Sequence, residues 1–162
     1  MEGTRLPDST WIGVRVDGAR LDDARLHRAD LTHAALPAAR MRGTSLVHAR
    51  LADVDLSRAD LRGADLREVS FQMGSSRSGL VGSPIAREGS LTGFYTEDLR
   101  ETAHLFPEEV RKANLTGCDL RGAKLDGTDF YLVDLRGALL DDEQLEVLRR
   151  CGAILDALAS PP

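Results

Sequence analysis

Every fifth residue from Leu6 to Phe71 is apolar: Leu6, Trp11, Val16, Leu21, Leu26, Leu31, Leu36, Met41, Leu46, Leu51, Leu56, Leu61, Leu66 and Phe71. With 42% of the 162 residues apolar, chance gives such a run about five times in a million, so the spacing is a folding signal. Two residues before each centre stands a small or β-branched residue, from Thr4, Ser9, Val14, Ala19 and Ala24 through Ala59, Ala64 and Val69. An α-helix turns about 100° per residue, so positions five apart walk around its surface and form no stripe. In a flat strand five is an odd number, and alternate centres would face water. What remains is a chain that turns a corner every five residues and coils around a common axis, with each centre and its small neighbour pointing inward.

Segments such as ADLRGADL (Ala59 to Leu66) and ANLTGCDLRGAKL (Ala113 to Leu125) resemble the pentapeptide-repeat family, whose unit is Ala, Asp or Asn, Leu and two variable residues. The resemblance implies an all-β fold: a right-handed quadrilateral β-helix of about five coils, with four units and 20 residues per coil. Stacked coils lie about 4.8 Å apart. Each buried Leu stabilises by roughly 1.5–3 kcal/mol, and no single coil is stable alone. The centres from Leu21 to Phe71, with Leu115, Leu120, Leu125, Phe130 and Leu135, are the expected inward core. Leu61→Asp should therefore unfold the chain, whereas Arg62→Asp, one residue on, should be nearly silent.

After Phe71 the rhythm stops. It returns one residue out of phase at Leu115, Leu120, Leu125, Phe130, Leu135 and Leu140, each preceded by a small residue such as Ala113 or Cys118. Phe71 and Leu115 are 44 apart where five would do, so about 39 residues are inserted into one coil. The reading is a single domain over 1–162, with repeats at about 4–71 and 113–140, an insertion over about 72–112 and a C-terminal helix over about 142–151. Gly74 to Gly93 reads as loop, Thr96 as a helix cap, and Pro107 as the start of a second short turn. The insertion is either a loop packed on one face or a binding element, for which Arg77, Arg87 and Tyr95 are the candidate partner-binding residues. At the C-terminus Asp141 and Gln144 form a cap, Leu145 and Leu148 share one helix face, and Gly152 stops the helix. This helix, with Ile154 and Leu155, should either cap the last coil or make a homodimer, as C-terminal elements do in resembling proteins.

Charge limits the function classes. Lys and Arg number 21 against 26 acidic residues, a net charge of −5, which argues against direct nucleic-acid binding. No apolar run approaches the roughly 20 residues that span a membrane, and Met1 to Trp11 lacks the apolar stretch of a signal peptide. Two cysteines suit a reducing cytoplasm. Nineteen Arg against two Lys fits a GC-rich bacterial genome. Residues 20 apart should stack, so Asp8, Arg28, His48 and Glu68 form one column, with Arg40 beside Asp60 and Asp30 beside Arg50.

The resemblance also implies a partner, because its best-known members mimic B-form DNA and bind type II topoisomerases. Residues 1 to 71 here carry 11 Arg and 11 acidic residues, and the slot before the centre is Arg at Arg5, Arg15, Arg20, Arg25, Arg40 and Arg50. A decoy for a phosphate-binding groove wants extended negative potential instead. His27, His33, His48 and His104 have no metal-motif spacing, Cys118 falls in an inward slot, and Cys151 near Arg149 and Arg150 is expected to be the more reactive thiol of the two, although nothing marks a base beside it. Gly74 to Gly79 lacks the Lys of a phosphate loop. No catalytic, cofactor or metal set is legible. The expected function is a non-catalytic scaffold that binds another protein. The alternatives are a DNA mimic acting on DNA gyrase, giving resistance to a topoisomerase inhibitor, and an accessory protein of a biosynthetic pathway.

Overall fold

The computed structural model of the protein describes residues 3–71 and 112–156. The backbone turns once in every five residues, and the residue before each apolar centre makes a parallel bridge to the residue 20 positions on: Arg5 to Arg25, Thr10 to Asp30, Arg15 to Ala35, Arg20 to Arg40, and so on to Arg50 with Ser70. Four five-residue units thus complete one rung. The rungs are joined by backbone hydrogen bonds running both ways, as when the Leu26 amide donates to Ser45 O at 2.8 Å and the Arg25 amide donates back to Thr4 O at 2.8 Å. The longest strands are pairs of residues, β1 (Ala113–Asn114) and β2 (Val133–Asp134), parallel to each other.

The corners explain why so little of the chain is extended. The second residue after each centre is left-handed, with φ of 56° at Asp8, 55° at Arg28, 58° at His48 and 55° at Glu68. A non-glycine residue there costs roughly 1–2 kcal/mol, which the buried centres and the ladder bonds offset.

Centres from Leu21 to Phe71 are at most 2% exposed, as are Leu115, Leu120, Phe130 and Leu135. The small slot is equally closed at Ala24, Ala29, Ala59 and Ala64. A large and a small side chain per unit let opposite walls meet at close packing without voids. Leu125 departs from the expected core: it is only half-buried and packs against the core from its edge. The next rung above it is replaced on that side by a helix, so no centre covers it. At the other end Leu6 and Trp11 are half-buried and Val16 is 44% exposed, because these centres are covered from one side only among the described residues.

Beyond Phe71 the bridges change offset. Asp55 pairs with Asn114, Asp60 with Asp119 and Asp65 with Lys124, each 59 positions apart, 39 more than one rung. The Asp53 amide donates to Lys112 O at 2.7 Å, so the ladder resumes at a corner. The loop from Gly74 to Gly93, the Thr96 cap, the Pro107 turn, His104 and the candidates Arg77, Arg87 and Tyr95 lie outside the described residues.

The C-terminal helix, α1, spans Asp142–Arg150, and Cys151 serves as its C-cap where the sequence placed its last helical residue. Gln144 Oε1 accepts from the Asp141 amide at 2.9 Å, while its amide nitrogen donates to the carbonyls of Leu120 and Ala123, both at 2.9 Å. One side chain therefore caps the helix and closes the rung beneath it. Leu148 is fully buried against the core, and Leu145 is half-buried. Gly152 has φ 73°, and a Cβ there would lie 2.8 Å from Tyr131 Cδ2, so both conformation and space demand glycine. The ladder then resumes as Ile154 pairs with Asp134; Ile154 and Leu155 are half-buried within the chain.

Candidate interaction surface

With the interior filled, chemistry is confined to outward slots. Among the described residues the sequence Asp-Leu-Arg recurs at 60–62, 65–67, 119–121 and 134–136, and each of these copies makes the same fork across its corner. Arg Nη2 donates to Asp Oδ2 at 2.8 Å for Arg62 and at 2.7 Å for Arg67, Arg121 and Arg136, while Nε donates to Oδ1. The bridge slot and the slot after the centre stand side by side on the outer wall, which presents a planar guanidinium to a carboxylate in the geometry of a bidentate pair.

Further pairs run between rungs. Arg28 meets Asp8 at 2.6 Å, His48 meets Glu68 at 3.1 Å and Arg50 meets Asp30 at 3.6 Å, so the expected column holds two pairs. His33 Nδ1 lies 2.9 Å from Asp53. One expected partner is exchanged: Arg40 bridges Asp60 through the backbone, but its guanidinium reaches Asp22 at 3.3 Å, and Asp60 takes Arg42 at 2.5 Å instead. Arg62 also approaches Asp119 at 3.6 Å. Exposed pairs contribute less than about 1 kcal/mol each; their effect is to neutralise the wall.

These contacts hold several carboxyls below the usual range: Asp60 through Arg62, Asp65 through Arg67, Asp119 through Arg121, Asp8 through Arg28, and Asp30 through the Thr32 hydroxyl. A folded-state value below the unfolded one, about 3.9, gives stability that is complete well above that value and lost as pH falls through the lower folded values. The expected melting temperature is therefore level from about pH 7 to pH 5 and falls below about pH 4. A thermal melt series that stays level down to pH 2.5 contradicts the forks.

Neither thiol is an activated nucleophile. Burial pushes Cys118 up to about 12. Cys151, expected to be the more reactive of the two but without a base beside it, is 5% exposed and also raised by burial, which outweighs Arg150. Among the described residues no three His, Cys, Asp or Glu side chains are placed to hold a metal ion.

A cavity of about 720 Å³ lies between α1 and residues 123–129, with Leu125, Asp126 and Asp129 on one side and Glu143, Val147 and Cys151 on the other. Beside it, Lys112 Nζ sits 5.2 Å from the centre of the Tyr131 ring. None of these residues except Cys151 and Leu125 stood out in the sequence. The available signal was the change of period at Asp141, which leaves the unit around Leu125 without a successor.

The family model described as pentapeptide repeats matches in eight copies, over residues 2–36, 12–46, 36–72 and 110–142. No curated protein matches the sequence. Among solved structures, the chain is similar to a pentapeptide repeat protein of the Arabidopsis thaliana thylakoid lumen, at 19% identity and a TM-score of 0.50, covering 99% of this chain and 84% of that one. It is also similar to HetL of the cyanobacterium Nostoc, described as involved in heterocyst differentiation regulation, at 20% identity and a TM-score of 0.34, covering 85% of this chain and 46% of that one. A third is QnrB1, a plasmid-mediated fluoroquinolone resistance protein, at 18% identity and a TM-score of 0.47, covering 94% of this chain and 65% of that one. Identities this low bear on the fold alone, and the fold shared with the Arabidopsis protein and with the family is a β-helix.

Proposed function

Since the chain belongs to the pentapeptide-repeat family, we propose that it is a non-catalytic scaffold that binds another cytoplasmic protein through its outer walls and the excursion between Phe71 and Lys112. The observation that carries this reading is the closed interior: centres and small slots from Leu21 to Phe71 are buried, so ligands reach only the walls, the ends and the excursion. The coil is right-handed and four-sided, with about five turns over one domain; parallel β crossovers are right-handed in about 98% of cases, which supports that hand. Two free, buried cysteines suit a reducing compartment.

The test uses the register. Deleting residues 73–111 removes 39 residues and returns Asp55 and Asn114 to a 20-residue spacing, so the shortened chain is expected to keep its circular dichroism spectrum and cooperative melt. Affinity capture with the full and shortened chains should then differ in the retained partner. Identical partner sets remove the excursion from the binding surface.

A DNA mimic acting on DNA gyrase is the second reading. It is favoured by the acidic end, where Asp134, Asp141, Asp142, Glu143, Glu146 and Asp156 outnumber Arg136, Arg149 and Arg150. The neutralised forks along the wall weigh against it, because mimicry needs negative potential over the length of the rod. In a gyrase supercoiling assay the scaffold reading expects neither inhibition nor protection from a quinolone. An accessory protein of a biosynthetic pathway is the third reading, and a homodimer through the C-terminal end is compatible with all three.

A further inference from the structure

We propose that the cavity between α1 and residues 123–129 binds a small organic cation, an ammonium or amidinium carried on an apolar body. Its volume, about 720 Å³, lies in the range of roughly 300–1,000 Å³ typical of small-molecule sites. The walls are amphipathic: half-buried Leu125, the exposed Val147 and the neutral Cys151 thiol supply apolar surface. Asp126, Asp129 and Glu143 bring three carboxylates against the single ammonium of Lys124.

Asp129 gives the direction. Its Oδ1 accepts from the Tyr131 amide at 3.0 Å, whereas its Oδ2 is buried with no hydrogen-bond partner among the described residues. The cations nearby do not satisfy it. Arg121 and Arg136 are committed to Asp119 and Asp134. Lys112 Nζ lies against Tyr131 and is itself buried without a hydrogen-bond partner among the described residues. A buried carboxylate oxygen without a donor is costly, and turning the Asp129 carboxylate toward the cavity that it lines would give it a ligand N–H. Among the groups that line the cavity three carboxylates stand against one ammonium, so a cation is favoured over an anion or a neutral donor of the same shape. The site does not depend on the excursion proposed above as a binding element, and it takes from the outer wall only Lys124 and Asp126 at its end.

The experiment follows backbone amides by NMR at pH 7 as benzylamine, benzyl alcohol and benzoate are each added to the full chain. Benzylamine is expected to shift Gly127, Thr128, Asp129, Glu143 and Val147 saturably, with benzyl alcohol about tenfold weaker and benzoate without effect. Asp129→Asn should weaken benzylamine about tenfold and leave benzyl alcohol unchanged. Val147→Trp, at a position 51% exposed, should block both probes while preserving the spectrum elsewhere, which keeps the test valid if Asp129→Asn fails to fold. Equal binding of benzoate or benzyl alcohol, no saturable shift with millimolar benzylamine, or broadening of the α1 amides with protein concentration alone, the mark of a second copy seated there, would each overturn the proposal.

Discussion

Leu61→Asp is expected to abolish the folded state at room temperature. Leu61 is fully buried, in a column with Met41 in the rung before and Leu120 in the rung after, so an aspartate would have only apolar neighbours and no cation within the tube. An unpaired buried charge costs a large part of the roughly 5–15 kcal/mol that holds a domain together. The comparison variant is Arg62→Ala. Arg62 faces outward with a side chain 41% exposed, and removing its fork to Asp60 should cost under about 1 kcal/mol. Arg62→Asp is not the silent control that its outward slot suggests, because it would set a third carboxylate beside Asp60 and Asp119. Urea titrations with size exclusion decide the matter. A cooperative transition in Leu61→Asp near that of the parent chain would mean that the centre does not face the interior.

Phe71→Ala should cost about 3–5 kcal/mol. Phe71 is the last centre before the excursion, and it packs on Phe130 with ring centroids 5.4 Å apart at 45°. Both rings are buried, in a column whose lower rungs carry Leu51, Leu31 and, at the half-buried end, Trp11. Truncation leaves a cavity walled by close-packed neighbours and removes the tilted ring contact, itself worth about 0.5–1.5 kcal/mol. Phe71→Leu, which restores the residue type of the two rungs directly below, should lose less than half as much. The readout is the urea midpoint at constant slope. Equal losses for the two variants would show that ring packing is not what Phe71 contributes.

Particular residues show where sequence reasoning reaches. The inward direction of Leu61 follows from spacing alone, because a chain that turns every five residues returns the same slot to the same side. The cap at α1 is legible in Asp141 and Gln144, whose spacing brings the Gln144 side chain back to the Asp141 amide. The exchange of partners, Arg40 to Asp22 and Arg42 to Asp60, is not legible, since the spacing places the backbone slots and not the ends of long side chains. The raised pKa of the Cys151 thiol is not legible for a related reason: its neighbours in sequence are arginines, but in space burial and Asp129 outweigh Arg150.

The period of five, with its alternation of large and small residues, determined by itself that this chain coils, which side chains go inward and where 39 residues leave the coil. Those properties depend on local geometry repeated many times, so every unit votes for the same answer. Only the tertiary structure decided that Leu125 is left half-covered, that Asp129 keeps a buried oxygen without a donor, and that a cavity opens beneath α1. These depend on how one helix rests on residues about 20 positions away, and a contact made once leaves no period to be read.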